Sequence, residues 1–398
     1  MFSHLFKLMW NKRRSNGLLF LEILLAFVVL FGVLGFTFYN VERYSSPLGF
    51  SYEHSLGVRL DLPDDLDSLG VIEAQNRIKR DLLSMDDIDA VTFIGQINPF
   101  GNSNWNTGHD GYGFMIRTQM MFTDTDFAET MELKFREGRW FQEEDFIGKR
   151  KPVVINGAFV DEYFPEAETM LDSIFPLDDA FKIVGVVDEF KYQSNFSERK
   201  PLTFYPQEIT QEEEGGFSIN GAFEMLIVRT KPGRTAAAEE PMYNYLVDAT
   251  KNTDVVIWNM AKDRKKANRP ITIPLVILMS ISIFLLINIA LGLFGVLFTQ
   301  IARRRAEIGL RKAMGATRGQ VITQFVGETI LVSVAALLTG TFFAIQVPLL
   351  GLVPIPPKYF YSAILVAYLI ILTIIIVCSL LPSRQAAKLH PALVLHEE

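Results

Sequence analysis

Four stretches of the chain carry no charge or almost none: Gly17–Tyr39, Ile271–Thr299, Val321–Val347 and Tyr359–Leu381. The shortest have 23 residues. At about 1.5 Å per residue, each is long enough to cross a hydrocarbon layer of about 30 Å as a helix. A helix buried in a soluble core rarely needs so long an apolar run, so the pattern predicts four transmembrane helices. The first run follows basic residues, as a secretory signal does. It is too long for one and no small-residue cleavage site follows it, so it is expected to stay as an anchor.

The remaining residues divide by charge. Residues 40–270 hold 25 of the 38 Lys and Arg and 40 of the 45 Asp and Glu, a net charge of −15, which leaves +8 for the rest. Basic residues close to span ends set orientation. Lys7, Lys12, Arg13 and Arg14 precede the first span, and six basic residues join the second to the third. Arg384 and Lys388 follow the fourth, whereas the loop between the third and fourth has only Lys358. These flanks predict a cytoplasmic N-terminal segment (1–16), connector (300–320) and tail (382–398). The acidic segment 40–270 and the short loop 348–358 are then extracytoplasmic. One cluster, Lys262, Arg264, Lys265, Lys266 and Arg269, sits on the wrong side of the second span. Three agreeing flanks outweigh it, because large domains cross with little regard to charge.

The acidic segment reads as mixed α and β. Ser55–Leu62, Val71–Met85 and Ala90–Gly95 have the periodicities of strand, helix and strand. Met225–Arg229, Arg234–Lys251 and Val255–Trp258 repeat that order, with the turn "KPGR" between strand and helix. Two such units flanking the segment predict a split, duplicated fold with an insertion between them. The insertion contains two buried-strand candidates, "PVVIN" and "FKIVGVV", and "EEEGG" (Glu212–Gly216) reads as an exposed loop. The single cysteine, Cys378, lies in the fourth span, so no disulfide joins this chain to itself. A segment of about 230 residues has to hold together by its own core.

Enzyme chemistry is hard to find. The five histidines, His4, His54, His109, His390 and His396, have no metal-ligand spacing. His109–Asp110 sits in the Gly/Asn-rich "FGNSNWNTGHDGYG" and is read as part of a polar loop. Neither a nucleophile elbow nor a phosphate-binding G-x-x-x-x-G-K-[ST] occurs. No cofactor or metal is expected on this chain, and no nucleic-acid partner.

The connector is the most specific element. "RRRAEIGLRKAMGATRGQ" (Arg303–Gln320) follows the second span directly. That span is expected to continue as helix past Thr299 into the basic run. Ile301 and Ile308 lie seven apart, Leu310, Ala313 and Met314 share a face, and Arg304, Arg311 and Arg318 repeat every seven residues. This is a short amphipathic helix with a basic side. Gly315 is placed to end it in a left-handed cap, and Thr317 with Gln320 forms a capping box for the next helix. A loop lying at the headgroups would satisfy the orientation rule equally well. A capped helix fixed to two spans can also transmit a push.

"RRRAEIGLRKAMGATRGQVITQFVGETILVSVAALLTG" closely resembles the signature of the MacB/FtsX superfamily of ABC transporter permeases. The tail "LPSRQAAKLHPALVL" looks like that family's end, and "GRWFQEEDF", "PVVINGAFVDEYFP" and "FKIVGVVDEFKY" are similar to its MacB-like extracytoplasmic domain. The resemblance implies four spans (17–39, 271–299, 321–347, 359–381), the last three within an FtsX-like permease domain at about 271–395. Between the first two lies an α+β domain of a porter-like part and an inserted subdomain.

It also implies that the stretch around Arg303, Arg304, Arg305, Glu307, Gly309, Arg311, Lys312, Gly315 and Thr317 docks on a cytoplasmic ABC ATPase, which carries the ATP and Mg. The permease would pair with a second permease in a bacterial cytoplasmic membrane and, in MacB-type systems, meet a periplasmic adaptor. The implied function is export of a drug, peptide or lipoprotein by mechanotransmission. FtsX-type relatives use the same machine to switch an extracytoplasmic cell-wall hydrolase. Two departures stand out: no ATPase is fused to this stretch, so a separate chain is expected to supply it. The segment "EAETMLDSIFP" also lacks the glycine the family carries there.

Two acids fall inside spans at similar depth, Glu22 and Glu328. Glu22 is read as snorkelling to the headgroups. Glu328 is expected to pair with a connector arginine and to hold the docking helix at a fixed angle.

Overall fold

The computed structural model describes residues 13–62, 66, 68–95, 97–110, 113–206, 225–252 and 254–387. It separates into two compact units, Arg43–Pro270 and the remainder of the chain. Glu212–Gly216, the basic residues Lys7 and Lys12, and most of the tail motif lie outside the described residues.

The unit Arg43–Pro270 is built on one ten-stranded sheet. Strands β1 (Ser55–Arg59) and β2 (Ile88–Ile94) flank helix α2 (Ser68–Leu83). Strands β9 (Met225–Thr230) and β10 (Val256–Asn259) flank α5 (Thr235–Thr250). The four strands order as β10-β1-β9-β2, all neighbours antiparallel. This interleaving is that of two split βαβ units, as the repeated strand–helix–strand pattern predicts. Leu56, Val58, Val91 and Val228 from the strands, with Ile78, Leu82, Met242 and Leu246 from the helices, form one apolar core. The alternation in β1 places Leu56 and Val58 on one face because successive strand residues point to opposite faces.

The inserted residues extend this sheet instead of forming a second one. Strand β4 (Met115–Thr123) joins β2 through a single pair, Ile94 with Thr123. From there the order runs β4-β8-β6-β7-β5, with β5 (Phe135–Gly138), β6 (Lys151–Asn156), β7 (Phe181–Val187) and β8 (Leu202–Pro206). Strand β3 (Asn106–Asp110) pairs with β4, and two short helices, α3 (Phe127–Thr130) and α4 (Gly157–Tyr163), lie among these strands in sequence. The pair His109–Asp110 is therefore not in a loop: His109 sits opposite Ile116 in an antiparallel ladder. Turn-forming composition misleads here because cross-strand pairing overrides local preference. Within the segment "EAETMLDSIFP", Asp172 takes the left-handed conformation, φ 63°, and its carboxylate lies 2.6 Å from Lys182 Nζ. Asp tolerates that region better than most side chains.

The second unit contains four long helices: α1 (Arg13–Ser45), α6 (Met260–Arg303), α8 (Arg318–Leu349) and α9 (Pro357–Ala387), of which the ends of α1 and α6 belong to the first unit. Each contains a span long and apolar enough to cross a membrane. Their shared core is Ile23, Phe27, Phe31, Leu293, Ala336, Leu337, Ala363, Ala367 and Ile371, among others. Small residues set the close approaches, as between helices in lipid. A Cβ on Gly340 would sit 2.4 Å from the Phe27 ring. A Cβ on Gly292 would sit 2.7 Å from Glu22 Oε2, so the Glu22 carboxylate rests over the bare backbone of α6.

Candidate functional site

The connector departs from its predicted form at one residue. Helix α6 continues past Thr299 as expected but stops at Arg303. The backbone breaks at Arg304 (φ −109°, ψ 17°), and a separate helix α7 begins, Arg305–Ala313. The break turns Arg304 away from the basic face and toward α8.

Both ends of the following turn are closed by their own sequence signals. Gly315 has φ 96° and donates its N–H to Lys312 O at 3.1 Å, while Ala316 N–H donates to Arg311 O at 3.0 Å. These are the two bonds of a Schellman cap, which needs a residue free to be left-handed. Thr317 Oγ1 then accepts from Gln320 N, and Gln320 Oε1 accepts from Thr317 N at 2.9 Å. Two glycine- and threonine-coded caps thus leave three residues, Met314–Ala316, between α7 and the Thr317 cap of α8.

Five side chains then form a closed polar ring across that turn. Arg304 Nη1 donates to both oxygens of Glu328, 3.2 Å each. Gln324 Nε2 donates to Glu328 Oε1 at 3.3 Å, and Arg311 Nη1 donates to Gln324 Oε1 at 2.6 Å. Arg311 also pairs with Glu307, whose other oxygen lies 4.0 Å from Arg304 Nε. Arg304 and Glu328 are the inner members, 13% and 17% exposed. The Arg304 guanidinium also lies over the Phe325 ring, 5.8 Å from its centroid. Beside the ring, Ile301, Ile308, Val321 and Phe325 close an apolar cluster. Charge, hydrogen bonds and packing therefore all bind α7 to the first turns of α8. Removing one partner from a largely buried ion pair leaves the other uncompensated, which is where such pairs resist disruption.

This sorts the residues singled out in the sequence. Arg304, Glu307 and Arg311 face inward into the ring, Gly309 is buried, and Gly315 and Thr317 shape the turn. Lys312 is half-buried. Arg303 and Arg305 point outward. The heptad of arginines is not an open basic face, because Arg304 and Arg311 both turn inward into the ring. Two residues beside the arginines complete the outward surface: Leu310 is 54% and Met314 73% exposed. Gln324 was not legible as a site residue. Its signal was the i, i+4 spacing to Glu328, which puts both on one helix face. Glu22 is placed against Gly292 and belongs to no part of this ring. Among the described residues, no group of three or more His, Cys, Asp and Glu is placed to hold a metal ion.

A family model described as the FtsX-like permease C-terminal domain matches residues 279–391, which include the whole ring. A second, the MacB-like periplasmic core domain, matches residues 25–242, more than half of the 398. The chain belongs to the MacB/FtsX family of ABC transporter permeases. The permease is 26% identical over 298 residues to YvrN of Bacillus subtilis strain 168, an uncharacterized ABC transporter permease, covering 70% of each chain. It is 26% identical over 281 residues to the macrolide export ATP-binding/permease protein MacB of Escherichia coli K12, covering 69% of this chain and 42% of MacB. The permease thus spans less than half the length of the MacB relatives it matches. The crystal structure of the periplasmic region of MacB from Actinobacillus actinomycetemcomitans overlays on 54% of the permease and 92% of that chain, at 14% identity and a TM-score of 0.36.

Proposed function

We propose that this permease converts ATP hydrolysis on a separate cytoplasmic ATPase into movement of its extracytoplasmic domain, and that this movement drives export. The observation that supports the reading best is the closed ring from Arg304 to Glu328. A positively charged loop kept at the membrane surface for orientation needs no fixed geometry. Here a nine-residue helix is capped at one end, broken from α6 at the other and tied to α8 by five side chains. Such a helix delivers a displacement to the spans it joins instead of absorbing it. Its outward residues, Arg303, Arg305, Leu310 and Met314, supply an apolar patch with a charged edge, the composition of a protein-docking surface.

In this reading the termini and connector are cytoplasmic and residues 40–270 lie outside the cytoplasmic membrane. Two permeases act with two ATPases, and a periplasmic adaptor joins the outer domain where the cell has an outer membrane. The curated MacB relatives are named for macrolide export; for this chain the exported substrate is placed among drugs, peptides and lipoproteins.

The test is recovery of the tagged permease in mild detergent, scored for a bound ATPase. Arg305→Glu combined with Leu310→Asp should lose the ATPase and keep the permease folded. Glu328→Gln, which alters the ring and not the outward face, should retain it but lower permease-stimulated ATP hydrolysis. Retention by the first variant would move docking elsewhere on the chain.

A further inference from the structure

One residue of the basic cluster before the second span, Arg264, takes part in a buried polar node. Lys191 is 4% exposed, on the loop that follows β7. Its ammonium donates to Arg43 O at 2.8 Å, Ser46 Oγ at 2.7 Å and Asn195 O at 2.9 Å, with Ser46 O at 3.4 Å. Arg43 and Ser46 are at the end of α1. Four residues on, Asn195 is equally committed to the start of α6. Its N–H donates to Asn268 Oδ1 at 3.1 Å, and its Oδ1 accepts from Asn268 Nδ2 at 2.9 Å and from Arg264 Nε at 2.7 Å. Arg264 in turn reaches Tyr44 OH at 3.3 Å and lies over the Tyr52 ring, 4.8 Å from its centroid. Asn195 and Asn268 are both buried.

We infer that the five-residue segment 191–195 is a clamp that makes the end of α1 and the start of α6 move as one body. Lys191 and Asn195 are its positioning residues. The reasons are geometric. One short loop carries both contacts, and the Lys191–Asn195 bond joins them to each other. Lys191, Asn195 and Asn268, which link its two sides, are buried, so releasing one of them leaves a buried polar group unsatisfied. Hydrogen bonds in a connected buried network strengthen one another, and a partly satisfied one is costly. Arg264 is then a packing residue of the node, and its charge says nothing about which side of the membrane it occupies. The two helices that enter the domain Arg43–Pro270 would thus act on it together. The clamp stands or falls on its own, whether or not an ATPase docks on the chain.

The experiment is amide hydrogen exchange on the full-length permease in lipid nanodiscs, with Lys191→Met and Asn268→Ala. Each variant touches one helix directly. A clamp requires crossed effects: Lys191→Met speeds exchange at least tenfold at 264–270, and Asn268→Ala does so at 41–46. Amides of β6 and β7 keep their protection and show that the sheet is intact. If each variant speeds only the segment it contacts, or neither segment changes, the clamp is wrong. Should Lys191→Met open the sheet as well, Ser46→Ala removes one hydroxyl at the periphery of the node, with its 2.7 Å bond from Lys191 and its 2.8 Å bond to Arg43 O. It must then raise exchange at 264–270 at least twofold, and no change there overturns the inference.

Discussion

The outer domain and the membrane helices solve the same packing problem with different residues. In the outer domain the interior is aromatic: Phe127, Trp140, Phe190 and Phe204 meet with ring centroids 5.1 to 5.9 Å apart. Among the membrane helices, small residues carry the closest approaches, with Gly340 under Phe27 and Ala363 and Ala367 fully buried. Water explains the difference. Outside the membrane, burying a large ring removes much apolar surface from water and drives folding. Within lipid, apolar surface gains little from being covered, so close fit and polar ties decide which helices meet. The two polar devices follow the same division. The Arg304–Glu328 ring fixes one helix to another, whereas the Lys191–Asn195 node fixes two helix ends to a sheet that is already stable.

This contrast can be broken or sharpened by experiment. The largest effect is expected from Phe127→Ala. Phe127 is fully buried and contacts three other rings. Emptying it should cost about 3–5 kcal/mol, read as a lower unfolding midpoint from the fluorescence of Trp140, which stacks on it. A second, smaller loss is expected from Gly340→Val. Its Cβ would clash with Phe27, and overpacking of this kind costs about 1–3 kcal/mol. It should loosen α1 from α8 in a detergent-unfolding assay and leave the outer domain's midpoint unchanged. If Gly340→Val also lowered that midpoint, the two regions would not be energetically separate.

The smallest effect concerns pH. Burial pushes the Lys191 ammonium down to about 8, against the neighbouring Glu189, which favours the charged form, and with Arg43, which opposes it. The unfolded chain therefore holds this proton at pH values where the folded chain has released it. Linkage then makes stability rise with pH between about 8 and the ordinary lysine value near 10.5. Thermal unfolding of the permease should show wild type gaining on Lys191→Met across that window. Parallel curves would contradict the assignment.

Much of this architecture was legible in the chain, for stated reasons. The four spans, the two βαβ units and both caps of the connector rest on local periodicity or on residues with a required conformation, such as Gly315 and Thr317. What was not legible depends on contacts distant in sequence. His109 read as loop until β4 paired with it. Arg304 read as part of a basic face until the helix break turned it to Glu328, 24 residues on. Lys191 lay in a recognisable motif, yet its partners Arg43 and Ser46 are about 145 residues earlier. Arg264 read only as a topology signal, and it bonds to Asn195 and lies over the Tyr52 ring.

In the proposed mechanism the connector is a rigid lever because Arg304 and Glu328 hold it. A charge swap tests that most directly. Arg304→Glu and Glu328→Arg would be made singly and together, and permease-stimulated ATP hydrolysis measured in nanodiscs with the bound ATPase. The account predicts that each single reversal lowers stimulation at least tenfold without releasing the ATPase, and that the double variant regains a large part of it. Single reversals that leave stimulation intact, or a double variant no better than either single, would contradict it.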